Sequence, residues 1–295
     1  MSCVTTKGFA VSADVMYSAA GEEGCHLFND FGCGFEAPGT SLFFPTPWVD
    51  FGLPMTSGIT KYTLVLVVAL LVAAGFWYFT TRNAKVVPSR GQSMAELLVG
   101  FIRDQITRNT MGKEGDKFLP LMVTLFLFIF SMNVMGLIPG LQLPVTSNLA
   151  FPAVLAIFIF ILWNAVGIKR HGAGAHFKAR LVPGGVPAWI LPVVVPIEAL
   201  SNFIIRPATH MIRLFATMFA GHLLLAVFAA GGWYMFNLFG APNIGLGLVS
   251  AGFSGIALIG FLLFTAFELF IMAVQAYVFV LLSSIYLGEA MEGAH

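Results

Sequence analysis

Long apolar runs separated by short polar stretches make up most of this sequence. Three runs have about 20 residues, the length of one membrane-spanning helix, and they lie at 62–80, 118–137 and 149–168. Two later runs, 192–231 and 245–288, would each form a helix of about 60 Å, roughly twice the thickness of the hydrocarbon core. No polar turn divides the second of them. The pattern predicts an all-α polytopic membrane protein with three ordinary spans and a hairpin of two long, strongly tilted helices that turns around 231–247.

The segment 91–110, between the first two spans, has an amphipathic pattern instead. One face carries apolar side chains at helical spacing: Met94, Leu97, Leu98, Phe101, Ile102 and Ile106. The other face carries charged side chains: Glu96, Arg103, Asp104 and Arg108. This spacing predicts a helix that lies in the membrane interface and does not cross the bilayer.

The composition supports a membrane location. Hydrophobic residues make up 58% of the chain and charged residues 10%, whereas a soluble domain has about 25% charged residues. An ordinary soluble domain is therefore excluded. The net charge of +1 also argues against a nucleic-acid partner.

The uneven distribution of charge predicts the topology. Residues 1–60 contain Lys7 as their only lysine or arginine against six acidic residues, whereas 82–117 contains seven cations and 169–180 contains four. Because cytoplasmic loops collect Lys and Arg, we expect 1–60 to be an external N-terminal segment and 61–295 to be a membrane domain with a cytoplasmic C-terminus.

The three cysteines all lie in the predicted external segment. An external location permits a disulfide between Cys25 and Cys33, with Cys3 left unpaired; three free thiols are the alternative. Residues 1–30 have no basic start followed by an apolar core, so we expect no cleavable signal there.

Polar residues recur every three or four positions in the first long run. They are Glu198, Asn202, Arg206, His210, Arg213 and Thr217. Snorkelling toward the interface is an alternative explanation for Glu198 and Arg206. It does not suit Arg213, which lies deep in the run with no carboxylate at a helical neighbour position. We expect its anionic partner on the facing helix or on another protein.

A second polar set spans the two long runs. His222 is nine residues after Arg213 and points to the opposite side of the helix, while Glu268 and Gln275 share one face of the second helix. We expect His222 and Glu268 to approach each other across the hairpin as a titratable pair. A buried histidine is often only structural, but ionisable residues in membrane helices indicate function, and these together favour a proton path.

Two segments resemble subunit a of F-type ATP synthases, namely MIRLFATMFAGH (211–222) and AFELFIMAVQAYVFVLLSSIYL (266–287). Further matches are PIEALSNFIIRP (196–207), FSMNVMGLIPG (130–140) and PVTSN (144–148). The external HLFNDFGCGFEAPG (26–39) looks most like high-GC Gram-positive bacterial members. The resemblance implies a stator subunit beside a rotating ring of c subunits, each with a membrane carboxylate.

The resemblance also implies roles for single residues. Arg213 matches the essential arginine of the family and Gln275 the glutamine facing it. His222 and Glu268 match an interchangeable acid and imidazole pair in the outer channel.

At the inner exit region, Glu198 and Asn202 match lining positions. Thr217 stands where the family often has asparagine, so its channel role is the weakest of these matches.

The implied partners are the c-ring, b-type peripheral stalk subunits, the remaining ATP synthase subunits and the lipid bilayer. No cofactor and no metal ligand set are expected. The expected location is the bacterial plasma membrane, with the mitochondrial inner membrane as the alternative. Because the sequence has no Gly-rich phosphate loop, ATP chemistry is expected on partner subunits, and the chain itself is expected to be non-catalytic.

Two other classes of protein are alternatives. A secondary cation/proton antiporter would need ion ligands of its own near the midplane, and Arg213 has no internal counter-acid in the sequence. An intramembrane enzyme or haem protein is disfavoured because no HExxH motif occurs, and His210 and His222 lie 12 residues apart on one helix.

Overall fold

A computed structural model describes residues 38–39, 43, 60–82, 89–138, 143–182, 189–237 and 244–292. Within these ranges the regular structure is helical and no strand occurs. Cys3, Cys25 and Cys33 lie outside the described residues, so the predicted disulfide stays a prediction.

The helices follow one another with short connections. In chain order the α-helices are α1 (Lys61–Thr81), α2 (Arg90–Phe101), α3 (Arg108–Met111), α4 (Leu119–Val134), α5 (Ala150–His171), α6 (Ala173–Leu181), α7 (Leu191–Leu200), α8 (Arg206–Asn237) and α9 (Ile244–Glu292). Two π-helical turns, Ile102–Thr107 and Ser201–Ile205, join α2 to α3 and α7 to α8.

Five helical segments of the described chain are long and apolar enough to cross a membrane. They are Lys61–Thr80, Leu119–Leu137, Ala150–His171, Leu191–Phe236 and Gly247–Glu292. The prediction of an all-α protein with several apolar spans is thus confirmed.

The third of these helices ends later than predicted. α5 continues through Lys169 and Arg170 to His171, where the sequence pattern placed its end at 168. Cations in the last turn of a helix interact favourably with its dipole, so these residues extend the helix and do not stop it. Gly172 ends it with a φ of 82°, a backbone conformation that favours glycine.

The hairpin turn is shorter than predicted. The first long helix stays helical to Asn237, past the predicted end at 231, and α9 begins at Ile244. Gly232 is the reason for part of this difference, because a Cβ at this glycine would lie 3.2 Å from the Cβ of Ala257. It permits close approach of the two helices and does not form a turn.

The segment predicted as an amphipathic helix over 91–110 is helical, as α2, a π-helical turn and α3. Ile102 and Ile106, in the π-helical turn, are fully buried in the core. Met94 and Leu97 are 67% and 75% exposed, so the described chain leaves them uncovered. The place of this segment in the membrane interface stays a prediction.

The core lies where α9 packs along α8 and α4. Its largest fully buried side chains include Met122 and Ile129 of α4, Leu214 of α8 and Leu287 of α9. α5 completes the inner part with Trp163, which is 3% exposed. This packing fixes the two long helices side by side and so brings their polar residues together.

Candidate functional site

The side chains of His222 of α8 and Glu268 of α9 meet inside the hairpin. Nδ1 of His222 is in direct contact with Oε1 of Glu268, and the two side chains are only 7% and 4% exposed. The contact between His222 and Glu268 that the helical spacing predicts is therefore present in the structure. An imidazole and a carboxylate in contact are able to pass a proton between them.

Two glycines make room for this pair. A Cβ on Gly221 would lie 2.8 Å from Oε1 of Glu268, and a Cβ on Gly136 would lie 2.5 Å from Nε2 of His222. Both distances are shorter than real contacts, so any larger residue would displace the pair. The packing of the pair therefore requires glycine at both positions.

Further polar groups lie on the elements around His222. Thr146 donates a hydrogen bond of 2.6 Å to Oδ1 of Asn133, and both residues are fully buried. Three buried atoms, Nδ2 of Asn133, Nε2 of His222 and Oε2 of Glu268, have no hydrogen-bond partner in the described chain. Sequence reasoning gave Asn133 and Thr146 no role of their own; an amide in a spanning helix was the available signal for Asn133.

Arg213 points away from this pair. It is exposed on α8, between the half-exposed Ile212 and the fully buried Leu214. No ion pair connects it to a carboxylate in the part of the chain that the structure describes. Of the two partners expected from the sequence, no carboxylate of the facing helix forms an ion pair with Arg213 within the described residues.

Gln275 and Thr217 are the other two residues predicted near Arg213. Gln275 is buried on α9, on the same side as Glu268, and makes no hydrogen bond to Arg213 in the described structure. Thr217 donates to the backbone carbonyl oxygens of Arg213 and Leu214, at 2.9 and 3.2 Å. A hydroxyl within a helix commonly bonds to its own backbone in this way.

A polar cavity of about 600 Å³ lies at the other end of α8, where α6, α7 and the end of α9 meet. Glu198 and Asn202 line it, and Nδ2 of Asn202 donates to Oε1 of Glu198 at 2.9 Å and to the carbonyl oxygen of Arg180 at 3.0 Å. Oδ1 of Asn202 is buried without a partner among the described residues. The two residues predicted to line the inner region therefore lie together.

Sequence reasoning missed two residues of this cavity, Arg180 and Glu289. Oε2 of Glu289 accepts from Nη1 of Arg206 at 2.5 Å and from Nη1 of Arg180 at 3.2 Å. The predicted helix ended at 288, which placed Glu289 outside the membrane domain's helices. A carboxylate directly after an apolar run, opposite a basic cluster, was the available signal.

Arg180 lies on α6, and α6 packs on α5 through His176. On α6, Nε2 of His176 lies 3.3 Å from Oδ1 of Asn164 on α5. The ring of His176 fills the space beside Gly167 of the same helix α5. Burial, and then the charge of Arg180, lower the pKa of His176, which favours the neutral ring.

The residues of the predicted polar stripe from Glu198 to Thr217 lie in different environments. Glu198, Asn202 and Arg206 line the inner cavity. His210 is 4% exposed and packs against the ring of Phe279, with 3.9 Å between ring centroids, whereas Arg213, three residues later on the same helix, is exposed. His210 is thus a packed residue of the hairpin core.

The family of the chain follows from residues 62–288, which match the model of the ATP synthase A chain family. The chain belongs to the ATP synthase A chain family. ATP synthase subunit a of Streptomyces lividans is 42% identical over 291 residues, which cover 98% of this chain and 99% of that protein. The subunit a of Parafrankia sp. (strain EAN1pec) is 41% identical over 88% of this chain and 85% of its own length. That of Rhodococcus erythropolis is 35% identical over 87% of this chain and 90% of its own length.

Membership of the ATP synthase A chain family confirms the resemblance seen in the sequence, including its likeness to high-GC Gram-positive members. With its five apolar spans, the chain is a multi-pass bacterial membrane protein. The comparisons give no support to an antiporter. In the described residues no group of three or more His, Cys, Asp or Glu side chains has the geometry to hold a metal ion.

Proposed function

We propose that the chain is the stator proton-channel subunit of an F-type ATP synthase and passes protons to and from a rotating c-ring. The observation that carries this proposal is Arg213, a cation exposed on an apolar helix and without a carboxylate partner in the described chain. A carboxylate on a neighbouring protein is the natural complement of this charge. Near a protein surface, two unit charges 4 Å apart attract by about 4 kcal/mol.

Two polar sites on either side of Arg213 serve as separate half-channels in this proposal. At 1.5 Å per residue, His222 lies about 13 Å beyond Arg213 along α8, and Arg206 lies about 10 Å before it. The His222–Glu268 pair belongs to the outer half-channel and the cavity lined by Glu198 and Asn202 to the inner one. Because they lie at different heights, a proton must travel on the ring to pass from one to the other.

Arg213 separates the two half-channels electrostatically. A ring carboxylate that has released its proton is stabilised by the guanidinium, which does not lose its own proton in proteins. The same fixed charge repels a proton that would leak directly between the half-channels. Gln275 and Thr217 are assigned to this region by their match to family positions.

The remaining assignments also follow from the family and the charge pattern. The chain is a non-catalytic subunit without a cofactor; its partners are the c-ring, b-type peripheral stalk subunits and the other ATP synthase subunits. Its N-terminus is placed outside the cell and its C-terminus in the cytoplasm by the positive-inside rule.

The test is Arg213→Ala in the assembled complex, reconstituted into vesicles. We expect loss of proton-driven ATP synthesis together with passive proton leak, and we expect Arg213→Lys to fail as well, because lysine lacks the planar fork and loses its proton when desolvated. Arg82→Ala, which removes an exposed cation at the end of α1, is the control and should keep coupled synthesis. Near-normal synthesis in assembled Arg213→Ala complexes would refute the proposal.

A further inference from the structure

We propose that Glu289 is a positioning residue of the inner cavity: it holds Arg180 and Arg206 so that Glu198 stays free to exchange protons. The inference rests on the proposed function, because that function gives Glu198 its task. It concerns a residue to which neither the sequence pattern nor the family resemblance above gave a role.

One oxygen of Glu289 holds both arginines. Its Oε2 accepts from Arg206 at 2.5 Å and from Arg180 at 3.2 Å. The side chain of Arg180 is 11% exposed and that of Arg206 28%. Two guanidinium groups this close repel each other, so the carboxylate between them is what makes the arrangement favourable.

The aromatic rings of Trp163 and Tyr286 also contact the same two arginines. The guanidinium carbon of Arg180 lies 4.4 Å from the ring centroid of Trp163, and that of Arg206 lies 5.9 Å from it. Arg206 also lies 5.5 Å from the ring of Tyr286. Contacts of this kind restrict the direction in which each planar group points. With Glu289 they hold the arginines at one wall of the cavity.

Glu198 lies in the same cavity but has a neutral partner. Its Oε1 accepts from Asn202 at 2.9 Å, and no ion pair joins Glu198 to an arginine or lysine among the described residues. This is notable because Arg180, Arg206 and Lys178 all line the cavity. A carboxylate with an amide partner can still take up and release a proton, whereas one paired with a guanidinium is held ionised.

Charge counting shows what the loss of Glu289 would do. The cavity contains three cations, Lys178, Arg180 and Arg206, and three acids, Glu198, Glu289 and Glu292. Without the carboxylate of Glu289, both arginines lose their partner while half-buried. Glu198 and Glu292 are then the remaining acids of the cavity. Asn202 bonds both to Glu198 and to the backbone of Arg180, so we expect an arginine to form an ion pair with Glu198. Pairing would remove Glu198 from proton exchange.

The control for Glu289→Gln is Glu114→Gln. Both changes replace a carboxylate that forms an ion pair with arginine, but Glu114 pairs with Arg170 at 2.6 Å and does not line the cavity. The assay is passive proton flux through assembled Fo in vesicles, together with proton-driven ATP synthesis. We expect Glu289→Gln to lower flux at least tenfold, Glu289→Asp to retain most of it, and Glu114→Gln to remain within twofold of the unaltered complex.

The double variant Glu198→Gln/Glu289→Gln separates positioning from a structural role. If Glu289 acts through Glu198, the double variant conducts no worse than Glu198→Gln alone. A further loss in the double variant, an equal loss in Glu114→Gln, near-normal flux in Glu289→Gln, or failure of Glu289→Gln to assemble would each overturn the inference. Arg213→Ala measured in parallel tests the proposed function separately: coupled synthesis there would refute that function, whatever Glu289 does.

Discussion

The His222–Glu268 pair allows a sharp test of whether two residues act as one proton relay. Their side chains are in direct contact and are 7% and 4% exposed, and no third ionisable side chain forms an ion pair with either of them in the described structure. A proton that reaches one of them is therefore within reach of the other. A positioned general acid or base contributes about 10²–10⁴-fold to the rate of a proton transfer.

We expect His222→Ala and Glu268→Ala each to lower proton flux by about 100-fold or more, by loss of that contribution. Residues that act as a unit are strongly non-additive, so the double alanine variant should conduct about as well as either single variant. If the two losses were independent they would multiply, to about 10⁴-fold or more. The difference of about 100-fold is large enough to measure as passive flux in vesicles containing the assembled complex.

An exchange of the two side chains completes the experiment. His222→Glu alone places two acids in contact, and Glu268→His alone places two imidazoles in contact, so each single change removes the combination of one acid and one imidazole. The exchanged pair restores this combination and should conduct better than either single change. Thr265→Ala, whose hydroxyl bonds to the carbonyl of Phe261 on the same helix at 2.7 Å, is the control and should conduct normally. Multiplicative losses together with an exchanged pair no better than its single parents would refute the relay.

Three further predictions concern the packing, the acid stability and the topology of the chain. Gly136→Ala should lower proton flux, because its Cβ would lie 2.5 Å from Nε2 of His222. Gly100→Ala has open space around its Cβ and should leave flux unchanged. Flux is measured in the same vesicle assay, and equal behaviour of the two variants would contradict the packing argument. Hydrogen bonds from Arg103 and Arg108 lower the pKa of Asp116 from 3.8 to about 2, so the stabilisation from these ion pairs should be present above about pH 4 and lost as the pH falls through about 2. Thermal unfolding in detergent should accordingly show Asp116→Asn less stable than the unaltered protein at pH 6, with the gap closing below pH 3; a gap independent of pH would contradict this. Cysteines placed at Lys113 and Lys178 should react with an impermeant thiol reagent only from the cytoplasmic side, and labelling from the outside alone would overturn the topology.

Much of the architecture follows from the sequence because it depends on local composition. Each apolar run must be helical in a membrane, since its backbone hydrogen bonds have to be satisfied within the segment. The contact of His222 with Glu268 was also predictable from the sequence, because Glu268 is the only formally charged residue of 245–288 and helical spacing places His222 on the side of its helix opposite Arg213. The family was recognisable from the sequence because the residues that resemble it lie in two short segments, 211–222 and 266–287.

Tertiary packing decided what local patterns could not. On α8, His210 packs against Phe279 of α9 while Arg213, three residues later, is exposed, because the side chains that a helix buries depend on where its neighbours contact it. The role of Gly136 likewise depends on a contact with His222, which lies on a different helix.

The inner cavity is the clearest case of this difference. Arg180, Arg206 and Glu289 come from three elements far apart in sequence, and only the docking of α6 through His176 and the extension of α9 to Glu292 bring them to one carboxylate oxygen. Sequence periodicity reports the environment of a residue along its own helix, whereas the choice of partner for a long charged side chain depends on how separate helices pack. For this protein, the sequence therefore determined the spans, the family and the ionisable residues of the hairpin. The packing of the helices determined which of the described charges are paired, and it left Arg213 exposed.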